Sequence, residues 1–316
     1  MEQVKKHISH FIHYTLSALP LIFTVCTIDQ LAHAFVLGDS IKTQNPDSPY
    51  FIGLVDKSSN IPTTIKLPYP IVDIDEIEIP AFSQMAEKYT IDELTADCKP
   101  FFAKYFIQKN QKIIYFECTS FVYQSLDFIN QTLDNQDIII VPQLLHAGVN
   151  SDEKQILNTG IYHAGFLALK QSKESHRFLN WWSNNTQNKG FRDLCKGLNA
   201  DQLWLEHVPA LFEKIHIEKH QGLNVGIWNL SERRLQNIDS QYFINNVPLI
   251  SINFKGMKYW REYEACLQKY SYKTFKKLTP NFGLPNPIEK PVQKYIASKI
   301  RQVNNIFDWI IDRISA

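Results

Sequence analysis

Few residues in this chain stand at spacings that announce a reaction. It contains no GxGxxG, no GxxxxGK[ST] and no GxSxG, so dinucleotide binding, P-loop phosphate binding and a serine-hydrolase elbow are all unsupported. The ten histidines include no HExxH pair. The five cysteines (Cys26, Cys98, Cys118, Cys195, Cys266) form no CxxC and no zinc spacing. What remains is a set of polar residues at the ends of apolar runs: Cys26 and Thr27, Asp56, and Glu117. His163 is a further candidate, because it precedes Ala164-Gly165, where a ligand can approach the backbone. Asp201-Gln202 opens a helical pattern, a place where the helix dipole favours negative charge. Each also has a plain structural explanation as a strand terminator, a core histidine or a helix-start charge.

The elements that must position these residues alternate. Leu21–Cys26 forms a buried strand, and Thr27–Ile41 is a helix that Thr27 or Asp29 can cap. Tyr50–Val55 is a second strand, and Ile71–Ile79 a third, more exposed one. Helical periodicity follows over Ala81–Tyr89 and Thr90–Ile107. Ile113–Phe116 and Ile138–Val141 are continuous apolar runs, the signature of strands buried on both faces. Further strands are expected at Gly160–Leu169, Gly222–Trp228 and Leu249–Phe254. Ser172–Trp182 is expected to be a helix, and Ala200–Leu205 to begin another. Strands alternating with helices indicate an α/β fold with a mostly parallel sheet, whose ligands sit at the carboxyl ends of the strands. Strands cease after Tyr259. Pro280–Pro287 reads as a linker before one amphipathic helix, Ile288–Ile314, with the stripe Val292, Ile296, Ile300, Val303, Phe307, Ile310 and Ile314.

Composition narrows the function classes. The chain has 316 residues, 44% of them hydrophobic, which is enough to build a substantial core. Its 33 basic and 32 acidic residues leave a formal charge of +1, against a dedicated nucleic-acid binder. No run of 18 apolar residues is present, so no membrane-spanning helix is expected. Lys5 and Lys6 precede an apolar stretch, Tyr14–Cys26, that loosely mimics a secretory signal. Pro20 interrupts it and no A-x-A follows, so a strand is the better explanation. Scattered cysteines without a framework point to a reduced cytosol.

Taken in order, the segments resemble the GT-A-fold, nucleotide-sugar-dependent glycosyltransferases of bacteria, near the family-8 type. The similarity runs from about Phe23 to Trp260. It rests on Phe23-Thr-Val-Cys-Thr27 with Leu31-Ala-His-Ala34 and Leu37-Gly-Asp-Ser40, on Ile52-Gly-Leu-Val-Asp56, and on Glu87-Lys-Tyr-Thr90 with Glu93-Leu94 and Lys99-Pro-Phe-Phe102. It continues through Ile113-Ile-Tyr-Phe116, Gly160-Ile-Tyr-His-Ala-Gly-Phe166, Phe178-Leu-Asn-Trp-Trp182 and Ala200-Asp-Gln202. Asn224 with Trp228-Asn-Leu230, and Ile252-Asn-Phe-Lys-Gly256, complete it. The resemblance implies a Rossmann-like mixed sheet over residues 1–260 and a helical region over 261–316. It places Thr24, Cys26 and Thr27 at the base and ribose, Asp56 at the base, and Lys99 on the nucleotide side. His163 joins the donor-binding set. Asn224 and Asn229 would face the sugar or acceptor, with Asp201 and Gln202 below the anomeric carbon.

One departure from that family bears on mechanism. Its Asp-x-Asp motif binds Mn²⁺ or Mg²⁺ across the donor diphosphate, often completed by a later histidine. Here Glu117 and Thr119 occupy the acidic positions and Asn253 replaces the histidine, a poor donor set for a hard cation. Lys258, and with it Lys255, is the candidate replacement charge. The expected activity is therefore transfer of a hexose from a nucleotide sugar, UDP-sugar foremost, without tightly bound metal and with retention of configuration. The acceptor would be a glycan, a lipid-linked saccharide or a protein. The expected location is cytoplasmic, with the C-terminal stripe docked on the catalytic domain or resting on the inner membrane face. The alternative is a lapsed member of the family that binds nucleotide or serves as a partner subunit.

Overall fold

The computed structural model describes residues 19–147, 153–280 and 282, together with isolated helical positions between 296 and 313. Fourteen strands are described: β1 (Leu21–Cys26), β2 (Tyr50–Leu54), β3 (Ile71–Asp73), β4 (Lys112–Phe116), β5 (Ser120–Val122), β6 (Ile138–Ile140), β7 (Phe166–Lys170), β8 (Arg192–Asp193), β9 (Leu198–Asn199), β10 (Ile215–Ile217), β11 (Leu235–Ile238), β12 (Gln241–Ile244), β13 (Val247–Pro248) and β14 (Ser251–Asn253). Seven of them form one sheet in the order β10-β6-β7-β4-β1-β2-β3. All its pairings are parallel except those of β7, which runs antiparallel to β4 and β6. The fold is the α/β, mostly parallel sheet flanked by helices that the alternation of elements predicts.

Strand periodicity explains the two cores. Successive residues of β1 point to opposite faces, so Ile22 and Cys26 join one apolar cluster while Leu21, Phe23 and Val25 join the other. The first cluster lies under the helix Leu31–Gln44 and the second under Ile91–Ile107. A capping box starts the latter helix: the Thr90 side chain accepts from the Glu93 amide, and Glu93 accepts from the Thr90 amide. Gly53 makes room for it, since a Cβ there would meet the Phe102 ring at 2.6 Å. Phe102 is fully buried, and truncating such a side chain costs about 3–5 kcal/mol. The same close docking carries Lys99 to the carboxyl end of β4.

Several expected elements are shorter or differently made. Of Ile71–Ile79 only Ile71–Asp73 is strand, because the Asp73 carboxylate accepts the Ser58 amide and the chain turns into a 3-10 segment, Ile74–Glu76. Of Gly160–Leu169 only the part from Phe166 is strand; Gly160, at φ +113°, belongs to an irregular approach. Gly222–Trp228 contributes a single bridge, Val225 to Ile252, because Asn224 at φ +51° breaks the extended run. Ala200–Leu205 leads into a 3-10 segment, Leu203–His207. The helix expected at Ser172–Trp182 continues to Lys189. The strand expected at Leu249–Phe254 is β14, whereas sequence patterning missed the helix Asp127–Asn135, β5 and its pairing with β14, β10 and the β11–β13 meander.

Beyond Trp260, helices Arg261–Lys269 and Tyr272–Phe275 bury Tyr263, Leu267 and Phe275 in the same cluster as Ile22 and Phe35. His33 Nδ1 lies 2.8 Å from the Tyr263 hydroxyl, tying them to the first long helix. At the described positions of the C-terminal stripe the side chains are exposed, from 38% at Ile310 to 58% at Phe307. Docking on the catalytic domain does not cover the stripe there. Val292 and Ile314 lie outside the described residues. Among the described residues no helix is long and apolar enough to cross a membrane.

Candidate functional site

An open cleft lies at the carboxyl ends of β1 and β4, beside the start of β7. Val25 and Gln30 line it from β1 and its following turn, Asp92, Thr95, Ala96 and Lys99 from the helix Ile91–Ile107, and Tyr115 and Glu117 from β4. His163, Ala164 and Gly165 close one wall, and Arg192, Asn199 to Gln202 and Lys255 the others. Pro100 has no N–H, so the Ala96 carbonyl in this wall lacks its usual helical donor.

Lys99 and Asp201 form a buried ion pair, with side chains 3% and 7% exposed. The Lys99 ammonium also donates to the Ala164 carbonyl at 2.7 Å and lies 4.6 Å from the Tyr115 ring centroid. Lys99 is therefore not a solvated surface charge of its helix. Gln202 is engaged at both ends: its Oε1 accepts from the Ala164 amide and its Nε2 donates to the Thr159 carbonyl at 2.8 Å. Ala200, directly before Asp201, sits at φ +45°, a conformation that costs an L-residue about 1 kcal/mol or more. Strain of this kind is held where the surroundings over-determine it, here by the Ala200 amide bonded to the Phe191 carbonyl.

Across the cleft, Lys255 Nζ donates to Glu117 Oε1 at 3.1 Å, and the Tyr115 hydroxyl donates to Oε2 at 3.2 Å. Burial pushes the Glu117 carboxyl upward, but Lys255 and Lys99 outweigh it and hold the group down at about 2. Thr119 Oγ1 donates to Asn253 Oδ1 at 2.7 Å, and the Lys255 amide donates to the same oxygen at 2.9 Å. Because a backbone N–H can only donate, this bond fixes the orientation of the Asn253 amide and leaves its buried Nδ2 without a partner. These positions do not fit a divalent ion. One carboxylate is already paired with an ammonium, one hydroxyl points its proton at the amide oxygen, and that oxygen carries two donors. Among the described residues no group of three His, Cys, Asp or Glu side chains could hold a metal.

His163 stacks on Trp228, ring centroids 3.6 Å apart and planes at 18°. Its Nδ1 accepts from the Gly165 amide at 3.1 Å and lies 3.1 Å from Asn224 Nδ2. The unprotonated Nδ1 places the proton of the neutral ring on Nε2. Burial, with Lys255, Lys99 and Arg233 nearby, pushes the imidazole down to about 3 against the pull of Glu117. Two glycines permit this stack: a Cβ on Gly165 would strike the His163 ring, and one on Gly226 the Trp228 ring. Asn229 holds the supporting turn, accepting from the Gly226 amide at 2.9 Å and donating to the Asn224 carbonyl.

The expected donor-binding residues therefore divide. Glu117, Lys99, His163, Asp201, Gln202 and Lys255 converge on the cleft. Thr119 and Asn253 lie beneath it, and Asn224 and Asn229 support the His163–Trp228 stack. The Thr24 and Cys26 side chains are fully buried on the opposite side of β1 from Val25 and do not line the cleft. Thr27 is buried too, its hydroxyl donating to Asp29 at 2.6 Å. Asp56 has no exposed surface, does not line the cleft, and accepts from the Lys57 amide and Asn60 Nδ2 in the turn after β2. Lys258 is exposed and does not line the cleft. Gln30, Asp92, Tyr115 and Arg192 were missed. Strand alternation from Ile114 and Phe116 was the one local signal that could have singled out Tyr115.

No known family model matches the chain. It is 23% identical over 247 residues to the uncharacterized protein YfnF of Bacillus subtilis (strain 168), covering 74% of this chain and 80% of that one. YfnD of the same organism, also uncharacterized, is 26% identical over 114 residues, 35% of this chain and 37% of that one. Among solved structures the chain is similar to the galactosyltransferase LgtC in complex with donor and acceptor sugar analogues. The TM-score is 0.50 at 13% identity, over 83% of this chain and 98% of that one. An active-site mutant of LgtC gives the same TM-score at 12% identity, over 80% and 96%. At such identity the likeness establishes a shared fold.

Proposed function

We propose that this chain is a glycosyltransferase of the family-8 type that takes a hexose from a nucleotide sugar, UDP-sugar foremost, without a bound divalent metal. The observation that carries this reading is the cleft itself. It gathers Lys99, Arg192 and Lys255 around Glu117 and Asp201 at the carboxyl ends of a sheet shared in fold with LgtC. Cations lining this cleft suit a diphosphate. Asp201 and Gln202, which line the same cleft, are assigned to the sugar, and transfer with retention is part of this reading. His163 offers its Nε2–H to a donor oxygen. The acceptor is a glycan, a lipid-linked saccharide or a protein, met at the cytoplasmic membrane face by the exposed C-terminal stripe.

A second reading has its own support. Asp201 is already neutralised by Lys99, and both ends of the Gln202 amide are taken up. A chain in which those bonds persist would bind donor without turning it over. Calorimetric titration with UDP-, GDP- and CDP-sugars, with and without EDTA, tests the main reading, and release of nucleoside diphosphate separates it from the second. One donor is expected to bind with an affinity that chelation leaves within about tenfold, or about 1.4 kcal/mol. Binding of none of them removes the reading, and a larger loss on chelation removes its metal-free part.

A further inference from the structure

The β5–β14 pair is short, but its register sets a charge in the cleft. Ser120 lies opposite Asn253, so the chain leaving β14 passes beside the chain leaving β4. Asn253 Oδ1 then grips the Lys255 amide, and Gly256, at φ +75°, turns the chain away immediately afterwards. Lys255 thus stands on a pinned backbone at the tip of a turn. Its ammonium has three N–H donors, and Glu117 Oε1 takes one of them. The side chain is 55% exposed and borders the cleft, so its remaining donors are open to the cleft and not sealed in the core.

Resting on the nucleotide-sugar reading, we propose that Lys255 is the cation for the donor's pyrophosphate, and that Glu117 is the positioning residue that parks it there. The ammonium pairs with Glu117, a position to which the resemblance assigns a metal ligand, and its charge arrives on the chain. Lys258 lies outside the cleft and has no part in this. The acceptor hydroxyl oxygen bonds to the anomeric carbon as the glycosidic bond to the nucleoside diphosphate breaks. The electron pair of the broken bond goes to the leaving phosphate oxygen, and the hydroxyl proton passes to the departing diphosphate. An ammonium beside that oxygen stabilises the added charge more in the transition state than in the bound donor.

The test uses the full chain and titrates UDP, GDP, CDP and inorganic pyrophosphate, with and without EDTA, checking each variant by thermal unfolding. Lys255→Ala and Lys255→Gln are expected to weaken pyrophosphate and the preferred nucleoside diphosphate fivefold or more, and to leave binding of the matching nucleoside unchanged. Lys255→Arg should recover most of the loss, and Lys258→Ala should bind as wild type. In the Lys255→Ala/Thr119→Asp/Asn253→His variant, Mn²⁺ should restore binding, because carboxylates and an imidazole then replace the ammonium. A loss below fivefold in both Lys255→Ala and Lys255→Gln overturns the proposal and leaves the nucleotide-sugar reading standing. If wild type binds none of the four probes, both fall together.

Discussion

Lys99→Met is the most direct probe of how the cleft is held together. In the native chain the ammonium neutralises the buried Asp201 carboxylate and satisfies the Ala164 carbonyl. Methionine keeps much of the stem volume but removes the charge, leaving a carboxylate 7% exposed with no counter-ion beside it. Removing one partner of a buried pair typically costs about 3–5 kcal/mol, mostly the penalty of the uncompensated charge. Asp201→Asn alone leaves the ammonium unpaired and should cost a similar amount. The double variant leaves no lone charge, so it should lose far less than the two singles summed, with a coupling of about 2 kcal/mol or more. Equilibrium urea unfolding of the four proteins, followed by far-UV circular dichroism, measures the cycle. Loss of under about 1 kcal/mol in Lys99→Met, or additivity within about 0.5 kcal/mol, would refute a tightly coupled buried pair.

His163→Asn should flatten the acid limb of stability: above pH 6.5 native and unfolded rings are both neutral, and as pH falls towards about 3 only the unfolded ring takes the proton. The wild-type slope from this residue is at most about 1.4 kcal/mol per pH unit, and unchanged slopes between pH 6 and 4 would count against the buried neutral ring. Gly226→Ala drives a methyl group into the Trp228 ring, and a melting temperature equal to wild type, where about 1–3 kcal/mol of overpacking is expected, would show that the stack is not tight. Truncation before Pro280 should lower co-sedimentation with anionic liposomes if the exposed stripe meets a membrane, whereas equal recovery of both proteins in the supernatant removes that contact.

Local pattern carried the sheet. Mostly apolar runs at Leu21–Cys26 and Ile138–Ile140 read as buried strands, and the apolar periodicity of Ile91–Ile107 after its Thr90–Glu93 capping box reads as a docked helix. Such signals lie within a few residues of one another, so they survive without knowledge of the fold. Polar strand-end residues were less legible, because the same type ends a strand in a cleft, as Glu117 does, or closes a turn, as Asp56 does. Patterning put Lys258 ahead of Lys255, yet Lys255 is the one of the two that lines the cleft. Only the Asn253 bond to the backbone and the β5–β14 register choose between them. The pairs that define the site join residues far apart in the chain: Lys99 with Asp201 across 102 positions, Glu117 with Lys255 across 138, and His163 with Asn224 across 61. No local propensity encodes such a pairing. It exists because sheet order and helix packing bring those side chains to one rim, where burial makes each charge find its partner.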